Sequence, residues 1–246
     1  MGKLAFSGGK PVRTKPFPAW PVYNQEERKA LNEVLESGIW GGYHPKIKEF
    51  EEEFARYHDA KYGILVSNGT VSLVGGLLAS GIGPGDEVIV PPISFISTAT
   101  SVLLAGAIPI FVDIEPDTYN IDPEKIEDAI SDKTKGIIPV HFSGQPANMD
   151  RIMEIAKKNN LKVIEDAAHA HGAEWDGKKV GSIGDCGSFS FQNTKLITSG
   201  EGGILITNDE QIAENARSYF TQGRKPGAGW FEHFILGTNP VSYTHL

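Results

Sequence analysis

The sequence predicts an α/β protein in which a mostly parallel sheet lies between layers of helices. Short apolar runs alternate along the chain with longer segments of helical periodicity, which is typical of strands joined by crossover helices. Gly, Pro and Ser residues cluster at the ends of these runs and indicate connecting turns. With 246 residues, 40% of them hydrophobic, the chain is long enough to bury a substantial core.

The N-terminal part of the chain predicts an extended arm followed by two helices. Residues 1–23 are rich in Pro and Gly and are expected to form the arm. A first helix is predicted over residues 24–37, with Asn24 as its cap and acidic residues in its first turn. A second helix is predicted over residues 45–57, because its apolar residues recur on one face. They are Ile47, Phe50, Phe54 and Tyr57.

The remainder of the chain predicts seven strands and five helices. Strands that alternate with helices are joined by right-handed crossovers, which makes the sheet mainly parallel. The predicted strands are 62–66, 87–90, 108–112, 136–140, 162–165, 187–191 and 204–207. The predicted helices are 71–80, 94–105, 122–130, 148–159 and 209–220, and Pro123 occupies the first position of the third.

The stretch 165–203 carries the predicted site. A buried strand is expected to end at Asp166, and open α/β sheets bind ligands at that edge. Lys195 follows 29 residues later, after the alternating run 187–191, which puts serines on one face and phenylalanines on the other. The Gly-rich turn 199–203 then allows the backbone to approach whatever Lys195 holds.

These groups suit pyridoxal 5′-phosphate as a cofactor. A lysine amine forms a Schiff base with its aldehyde, and a carboxylate pairs with its pyridinium nitrogen. Hydroxyls and amides at a helix start bind its phosphate. Each residue also has a simpler interpretation when it is taken alone, because a lysine in a Gly/Ser loop is usually solvated and a strand-end aspartate usually caps a helix.

Three spaced motifs make the combination specific. E-D-x-A-x-x-x-G lies at 165–172, F-S-F-x-x-x-K at 189–195 and G-E-G-G at 200–203. With these motifs the chain resembles the DegT/StrS-type aminotransferases, pyridoxal-phosphate enzymes that aminate keto-sugars and cyclitols. The resemblance implies the aspartate-aminotransferase-like fold with a seven-stranded sheet, and a cofactor-binding large domain over residues 24–239.

The resemblance also implies a role for each candidate site residue. Lys195 holds the cofactor and moves the proton of the reaction, and Asp166 keeps the ring nitrogen protonated. Phe95 stacks on the ring, and His169 lies beneath it near the ring hydroxyl. The cofactor phosphate is bound by Gly69, Thr70, Val71 and Ser190. From the residues alone, the turn 67–70 is better explained as an ordinary helix start capped by Asn68 or Thr70.

Composition argues against several classes of protein. A net charge of −8 without a long basic run disfavours binding to nucleic acid or to an anionic membrane surface. No apolar run reaches the length of a membrane span, and the single cysteine, Cys186, rules out an internal disulfide. His141 and His171 are interpreted as structural, and no residues have metal-ligand spacing. A cytoplasmic location is expected, because the N-terminus lacks the apolar core of a secretory signal.

The predicted reaction is transamination of a keto-sugar or keto-cyclitol, with glutamate or glutamine as the amino donor. One alternative is a dehydratase of the same family, but those relatives carry histidine in place of Lys195. Another is a cofactor-binding regulator or an inactive fragment. Within the family, Gln192 and Asn193 resemble the branch of scyllo-inosose aminotransferases and 3-amino-5-hydroxybenzoate synthases.

The end of the chain leads to two further expectations. Family sites are shared between subunits, and Asn239 matches the asparagine that reaches the phosphate held by the other subunit, so a homodimer is expected. Residues 240–246 depart from the family and are interpreted as an anomalous tail in place of a small C-terminal domain. Without that domain we expect weak cofactor binding, little activity, and exposed apolar surface around Trp40, Phe50 and Phe54.

Overall fold

The computed structural model describes residues 2–40, 42, 44–225, 227 and 229–239. The predicted tail at 240–246 lies outside the described residues. The strands are β1 (Tyr62–Val66), β2 (Glu87–Val90), β3 (Ile108–Phe111), β4 (Thr134–Ile137), β5 (Lys162–Asp166), β6 (Glu174–Trp175), β7 (Lys178–Lys179), β8 (Cys186–Ser190) and β9 (Gly203–Thr207). The helices are α1 (Gln25–Ser37), α2 (Pro45–Tyr57), α3 (Gly69–Ala79), α4 (Ser97–Leu104), α5 (Pro123–Ile126), α6 (Met149–Asn159) and α7 (Glu210–Phe220). Short 3-10 helices lie at Ala5–Ser7, Glu127–Ala129 and Phe142–Gly144.

A seven-stranded sheet forms the centre of the molecule, in the order β1-β9-β8-β5-β4-β2-β3. β9 is antiparallel to both of its neighbours, and the other strands all run in one direction. The predicted mostly parallel sheet is therefore confirmed. β6 and β7 form a separate two-stranded hairpin that was not predicted, since two residues per strand leave no periodic pattern.

The structure corrects several predicted boundaries. The strand predicted at 136–140 is β4, which ends at Ile137 because Pro139 has no N–H to continue the ladder. Val140 makes only an isolated bridge to Asp166. The helix predicted at 94–105 begins only at Ser97.

Two other helices also differ from the predicted ranges. α3 begins at Gly69 rather than at Val71, because the side chain of Asn68 caps it by accepting a hydrogen bond from the Val71 amide. The helix predicted at 122–130 is α5, which tightens into a 3-10 turn after Ile126. Pro123 does occupy its first turn, as predicted.

Strand alternation sends neighbouring side chains to opposite faces of the sheet. Ile164 packs with apolar residues of α3, α4 and α7, whereas Val163 packs with those of α6. On β8, the Ser188 hydroxyl donates to the carbonyl oxygen of Gly69, while the Phe189 ring packs against Phe54 of α2 on the other side. The predicted division of the β8 run into a hydroxyl face and an aromatic face is confirmed.

The two N-terminal helices differ in how they are packed. Asn24 caps α1 as predicted, through a capping box with Glu27. Within the described ranges α1 buries no residue, and Trp40 beyond it is 51% exposed. The predicted exposure of Phe54 is wrong: this ring is 5% exposed, because Phe50 and Phe189 pack against it. Among the described residues, no helix combines the length and apolar character needed to cross a bilayer.

Candidate active site

Asp166 lies at the carboxyl end of β5 and faces the layer of α3 and α4. Its backbone is held between strands, since its amide donates to the carbonyl oxygen of Pro139 (2.9 Å) and its carbonyl oxygen accepts from the amide of His141 (3.1 Å). Its Oδ2 accepts a hydrogen bond of 2.7 Å from the Thr98 hydroxyl, and Oδ1 accepts one of 3.3 Å from the amide of Ala168. The side chain is only 6% exposed, so its orientation is set by these partners.

Glu165 points to the opposite face of β5 and is fully buried. Its two oxygens accept from the amides of Gly181, Ile183 and Gly184 at 2.7–2.8 Å, and from Nε2 of His141 at 2.9 Å. His141 Nδ1 accepts from the Ala147 amide, so Nε2 carries the hydrogen that is donated to Glu165. This pairing anchors the strand end behind Asp166 and agrees with a structural role for His141.

The start of α3 places several backbone amides near the same sheet edge. Asn68 Oδ1 already accepts from the amide of Val71 at 2.9 Å. The amides of Gly69 and Thr70 have no acceptor within the part of the chain that the structure describes. The Thr70 hydroxyl lies 2.6 Å from that of Ser97 on α4. Amides at a helix start, aligned with the positive end of the helix dipole, form a site for an anion.

Close backbone approaches form the walls around this turn. A Cβ on Gly69 would lie 3.0 Å from Cβ of Ser190, and one on Gly203 would lie 2.5 Å from the carbonyl carbon of Asn68. Gly203 therefore accepts only glycine without a shift of the backbone, and a Cβ at Gly69 would press on the Ser190 side chain. Ser190 is thereby held against the start of α3, and its Oγ accepts from the amide of Gln192 at 3.3 Å.

Lys195 lies half-buried in the loop that follows β8. Burial lowers the pKa of its amine, and the negative charge of Asp166 offsets part of that effect. This electrostatic interaction puts Lys195 near the end of β5 that carries Asp166. A lowered pKa increases the fraction of neutral amine, which is the nucleophilic and basic form.

Two histidines flank this edge. His169 is half-buried, and burial together with the nearby Lys195 charge lowers the pKa of its ring. Its Nδ1 accepts from the amide of Ser143 at 3.3 Å, so Nε2 carries the hydrogen of the neutral ring. His171 donates from Nε2 to the carbonyl oxygen of Ser190 at 3.0 Å. Burial lowers the pKa of His171 to about 4, so this ring is neutral at physiological pH.

The remaining predicted site residues lie nearer the surface. The Phe95 side chain, just before α4, is 67% exposed. Asn239 is the last residue that the structure describes and is half-buried. The preceding Thr238 pairs with Tyr219 and Gln222 at the end of α7, so this segment runs along that helix.

Three contacts at the site were not predicted from the sequence. Thr98 bonds Asp166, Ser97 bonds Thr70, and the indole Nε1 of Trp20 donates to the carbonyl oxygen of Asn193 at 2.9 Å. Clustered hydroxyls before and in the first turn of α4 are the signal that was available for the first two. Trp20 and Asn193 are 173 residues apart, and no local pattern indicates such a contact.

A family model shows which family the chain belongs to. The model of the DegT/DnrJ/EryC1/StrS aminotransferase family matches residues 21–240, nearly the whole chain. The chain belongs to this family. Solved members are known in the pyridoxal-phosphate and pyridoxamine-phosphate forms, so members of the DegT/DnrJ/EryC1/StrS family use this cofactor.

Individual members of the family show what the chain is similar to. It is 46% identical over 222 residues to a GDP-perosamine synthase of Caulobacter vibrioides, covering 90% of this chain and 59% of that protein. It is 40% identical over 227 residues to an L-glutamine:2-deoxy-scyllo-inosose aminotransferase of Streptomyces paromomycinus, covering 90% and 54%. The crystal structure of a 3-amino-5-hydroxybenzoic acid synthase matches with a TM-score of 0.88 and 41% identity, covering 92% and 59%. The chain thus spans somewhat more than half the length of these relatives.

Proposed function

We propose that the protein containing this chain is a pyridoxal-phosphate-dependent aminotransferase. It transfers an amino group from glutamine or glutamate to the ketone carbon of a keto-sugar or keto-cyclitol. The observation that carries the proposal is the electrostatic interaction of Lys195, whose amine pKa is lowered by burial, with the buried Asp166 carboxylate at the end of β5. Family membership supports the same activity.

The residues at this edge fit the cofactor. When bound, pyridoxal phosphate supplies an aldehyde for a lysine amine and a ring that withdraws electrons from the substrate carbon. The amides of Gly69 and Thr70, which have no acceptor among the described residues, suit its phosphate, and the Ser190 hydroxyl adds a polar group across the turn. The carboxylate of Asp166 suits a positively charged ring nitrogen. The Val71 amide is less suited, because Asn68 already occupies it.

Lys195 and Asp166 divide the acid–base work. In its neutral form, Lys195 Nζ would take a proton from the substrate carbon and, once protonated, serve as the acid that returns it. The Asp166 carboxylate would favour a protonated ring nitrogen through charge pairing, which would keep the ring electron-poor. His169 would offer its Nε2 hydrogen to an oxygen of the bound group, and the exposed Phe95 ring would offer an apolar surface to its ring.

The acceptor is proposed to be the ketone of a polyhydroxylated ring. Relatives that act on a cyclitol and on a nucleotide-linked sugar are similar to this chain at 40–46% identity. Their similarity supports this class of acceptor but does not choose between a sugar and a cyclitol. Gln192 and Asn193 do not distinguish a sugar acceptor from a cyclitol acceptor either. Gln192 Oε1 accepts from the amide and the hydroxyl of Thr194, and the side-chain amide nitrogen of Gln192 donates to Asn193 Oδ1. The Gln192 side chain therefore makes its hydrogen bonds within its own loop.

A homodimer in the cytoplasm completes the proposal. Residues 24–239 are assigned to the cofactor-binding domain, and Asn239 is the residue that would reach the phosphate site of the other subunit. The exposed apolar residues of the α4–β3 surface, such as Leu103, Leu104 and Phe111, support burial of further surface in an assembly.

Borohydride reduction tests the assignment of Lys195 directly. The protein is loaded with pyridoxal phosphate, reduced, digested and mapped by mass spectrometry. We expect the phosphopyridoxyl label on Lys195, because its lowered pKa favours attack on the aldehyde. Lys195→Ala should lose the label and lower the rate of transamination by about 10²–10⁴-fold or more.

The matched control is Lys178→Ala, which removes an exposed lysine of the β6–β7 hairpin and should leave labelling unchanged. A label on Lys178, Lys179 or Lys225 instead of Lys195 would overturn the proposal.

A 3-amino-5-hydroxybenzoate synthase activity is the second candidate, and the similarity to a solved enzyme of that name favours it. Its product is aromatic, whereas the product of simple transamination of a saturated ring ketone is not. An ultraviolet spectrum of the product therefore separates the two reactions.

A further inference from the structure

Two hydroxyls form a chain that ends on Asp166. The Thr98 hydroxyl lies 2.7 Å from Asp166 Oδ2, and the Ser94 hydroxyl lies 2.6 Å from that of Thr98. Thr98 is 1% exposed and Asp166 6% exposed, so water has little access to this contact. These hydrogen bonds therefore link the Asp166 carboxylate, which lies on β5, to α4.

The direction of these bonds follows from the chemistry of the groups. An ionised carboxylate only accepts, so Thr98 donates its one hydroxyl hydrogen to Asp166. The oxygen of Thr98 is then the acceptor for the hydroxyl hydrogen of Ser94. Neither hydroxyl caps α4, since its N-cap residue is Ile96 and no side chain accepts there. The two hydroxyls are thus committed to the carboxylate and not to the helix start.

The carboxyl group needs such an anchor. The terminal torsion of an aspartate is broad, so a carboxylate held only by its own backbone can rotate. Oδ1 has only the 3.3 Å contact with the Ala168 amide, which is at the long end for a hydrogen bond. The 2.7 Å bond from Thr98 is the stronger restraint on the orientation of Asp166.

The same turn of α4 also reaches the other end of the candidate site. Ser97, next to Thr98 in sequence, lies 2.6 Å from the hydroxyl of Thr70 at the start of α3. Adjacent residues of one helix turn therefore contact both the carboxylate and the anion-binding turn. This places the two polar ends of the site at a spacing set by α4.

We propose that Thr98 is a positioning residue that holds the Asp166 carboxylate against the ring nitrogen of pyridoxal phosphate, with Ser94 supporting it. The inference rests on the proposed function. Removing the Thr98 hydroxyl loosens the carboxylate, so the proton on the ring nitrogen is held less well. The pH at which the bound cofactor titrates then moves part of the way towards its value in Asp166→Asn.

The test is a pH titration of the absorbance of the bound cofactor. We expect Thr98→Val to move the titration midpoint part of the way towards that of Asp166→Asn, and to weaken cofactor binding by about 10-fold. Thr98→Ser keeps the hydroxyl and should restore the original midpoint. Ser94→Ala removes only the bond from Ser94 to Thr98 and should shift the midpoint in the same direction by a smaller amount. This variant replaces Thr98→Val in the test if Thr98→Val fails to fold.

The control separates positioning from stability alone. Ser101→Ala removes a buried hydroxyl one turn further along α4, which donates to the carbonyl oxygen of Thr98 and not to Asp166. It should leave the midpoint unchanged. Thr98→Val should also add no further shift when combined with Asp166→Asn, because the two substitutions remove the same restraint.

The outcomes distinguish this inference from the proposed function. If the unmodified protein and all variants fail to bind pyridoxal phosphate, both are wrong. If Asp166→Asn shifts the midpoint but Thr98→Val and Ser94→Ala match the unmodified protein, only the positioning role is overturned. An equal shift from Thr98→Val with and without Asp166→Asn also overturns it.

Discussion

The two sides of the candidate site are built in opposite ways. On the carboxylate side, Asp166, Glu165 and Thr98 are buried, and each bonds groups from other elements of the fold. The lysine side, residues 192–201, is mostly exposed, and its bonds are local, such as that from the Lys195 amide to the carbonyl oxygen of Gln192. Across the described residues, its long-range side-chain bond is the one from Trp20 to Asn193.

This difference matches the different tasks proposed for the two residues. A carboxylate that only holds a proton on a ring nitrogen gains from a rigid, desolvated position. A lysine that bonds the cofactor and later moves a proton must change its position during the reaction, and a loop with local bonds allows this. The comparison leads to three expectations about what each side tolerates.

The largest effect is expected on the carboxylate side, at Glu165. Glu165→Gln replaces one carboxylate oxygen by an amide group that must face hydrogen donors. Since Glu165 accepts from three backbone amides and from His141 in a fully buried position, the free energy of unfolding should fall by about 3–5 kcal/mol. Chemical denaturation measures this loss.

The matched control for this experiment is Glu36→Gln, which changes an exposed glutamate of α1 in the same way. Its effect should stay within about 0.5 kcal/mol, the usual range for surface changes. Similar losses in the two variants would show that the strand end behind Asp166 is not a rigid anchor.

An intermediate effect is expected at His171, which joins the two sides by donating to the carbonyl oxygen of Ser190. The pKa of His171 is lowered from 6.5 to about 4, so between these values the unfolded chain binds a proton that the folded chain does not. Stability from the neutral ring is complete above pH 6.5 and is lost as the pH falls towards 4. The loss is about 2–3 kcal/mol over this window.

His171→Gln isolates this contribution, because glutamine can donate to the same carbonyl oxygen but does not titrate. The free energy of unfolding of both proteins is measured from pH 4 to pH 7. The variant should show a flatter dependence, and the difference should develop below pH 6.5. His58, whose pKa burial also lowers, is common to both and cancels. Parallel curves would show that folding does not lower the pKa of His171.

The carboxylate side was the more predictable of the two from sequence. Asp166 follows an apolar strand, and the end of a strand in a parallel sheet fixes its place at the ligand-binding edge. The alternation of serine and phenylalanine on β8 likewise predicted which side chains face α3. Periodicity works at these positions because burial on a regular strand decides the direction of each side chain.

The other contacts could not be predicted, because they involve irregular segments or join residues that are distant in sequence. Glu165 lies beside Asp166 in the same strand, but its partners come from the loop after β7 and from His141. The hydroxyl of Ser94 reaches Thr98 from a segment predicted as helix but irregular in the structure. The predicted exposure of Phe54 failed for the same reason, since its covering ring, Phe189, is far away in sequence.

The contact of Trp20 with Asn193 should have the smallest effect on the whole molecule and the most local one. Trp20 is 52% exposed, so a single bond from its indole to the carbonyl oxygen of Asn193 contributes little to global stability. This hydrogen bond nevertheless connects the N-terminal arm to the loop that carries Lys195. Loss of this hydrogen bond should therefore appear as faster opening of that loop rather than as unfolding of the sheet.

Hydrogen exchange of the Lys195 amide, which bonds the carbonyl oxygen of Gln192, measures this opening. Trp20→Phe keeps an aromatic ring but removes the donor, and a lost bond of about 1 kcal/mol should speed exchange by about 5-fold. Trp40→Phe is the control, because the Trp40 indole donates only locally, to Val34 at the end of α1. If both variants leave the exchange of Lys195 unchanged, the lysine side is held by its local bonds alone, and its contrast with the carboxylate side is sharper still.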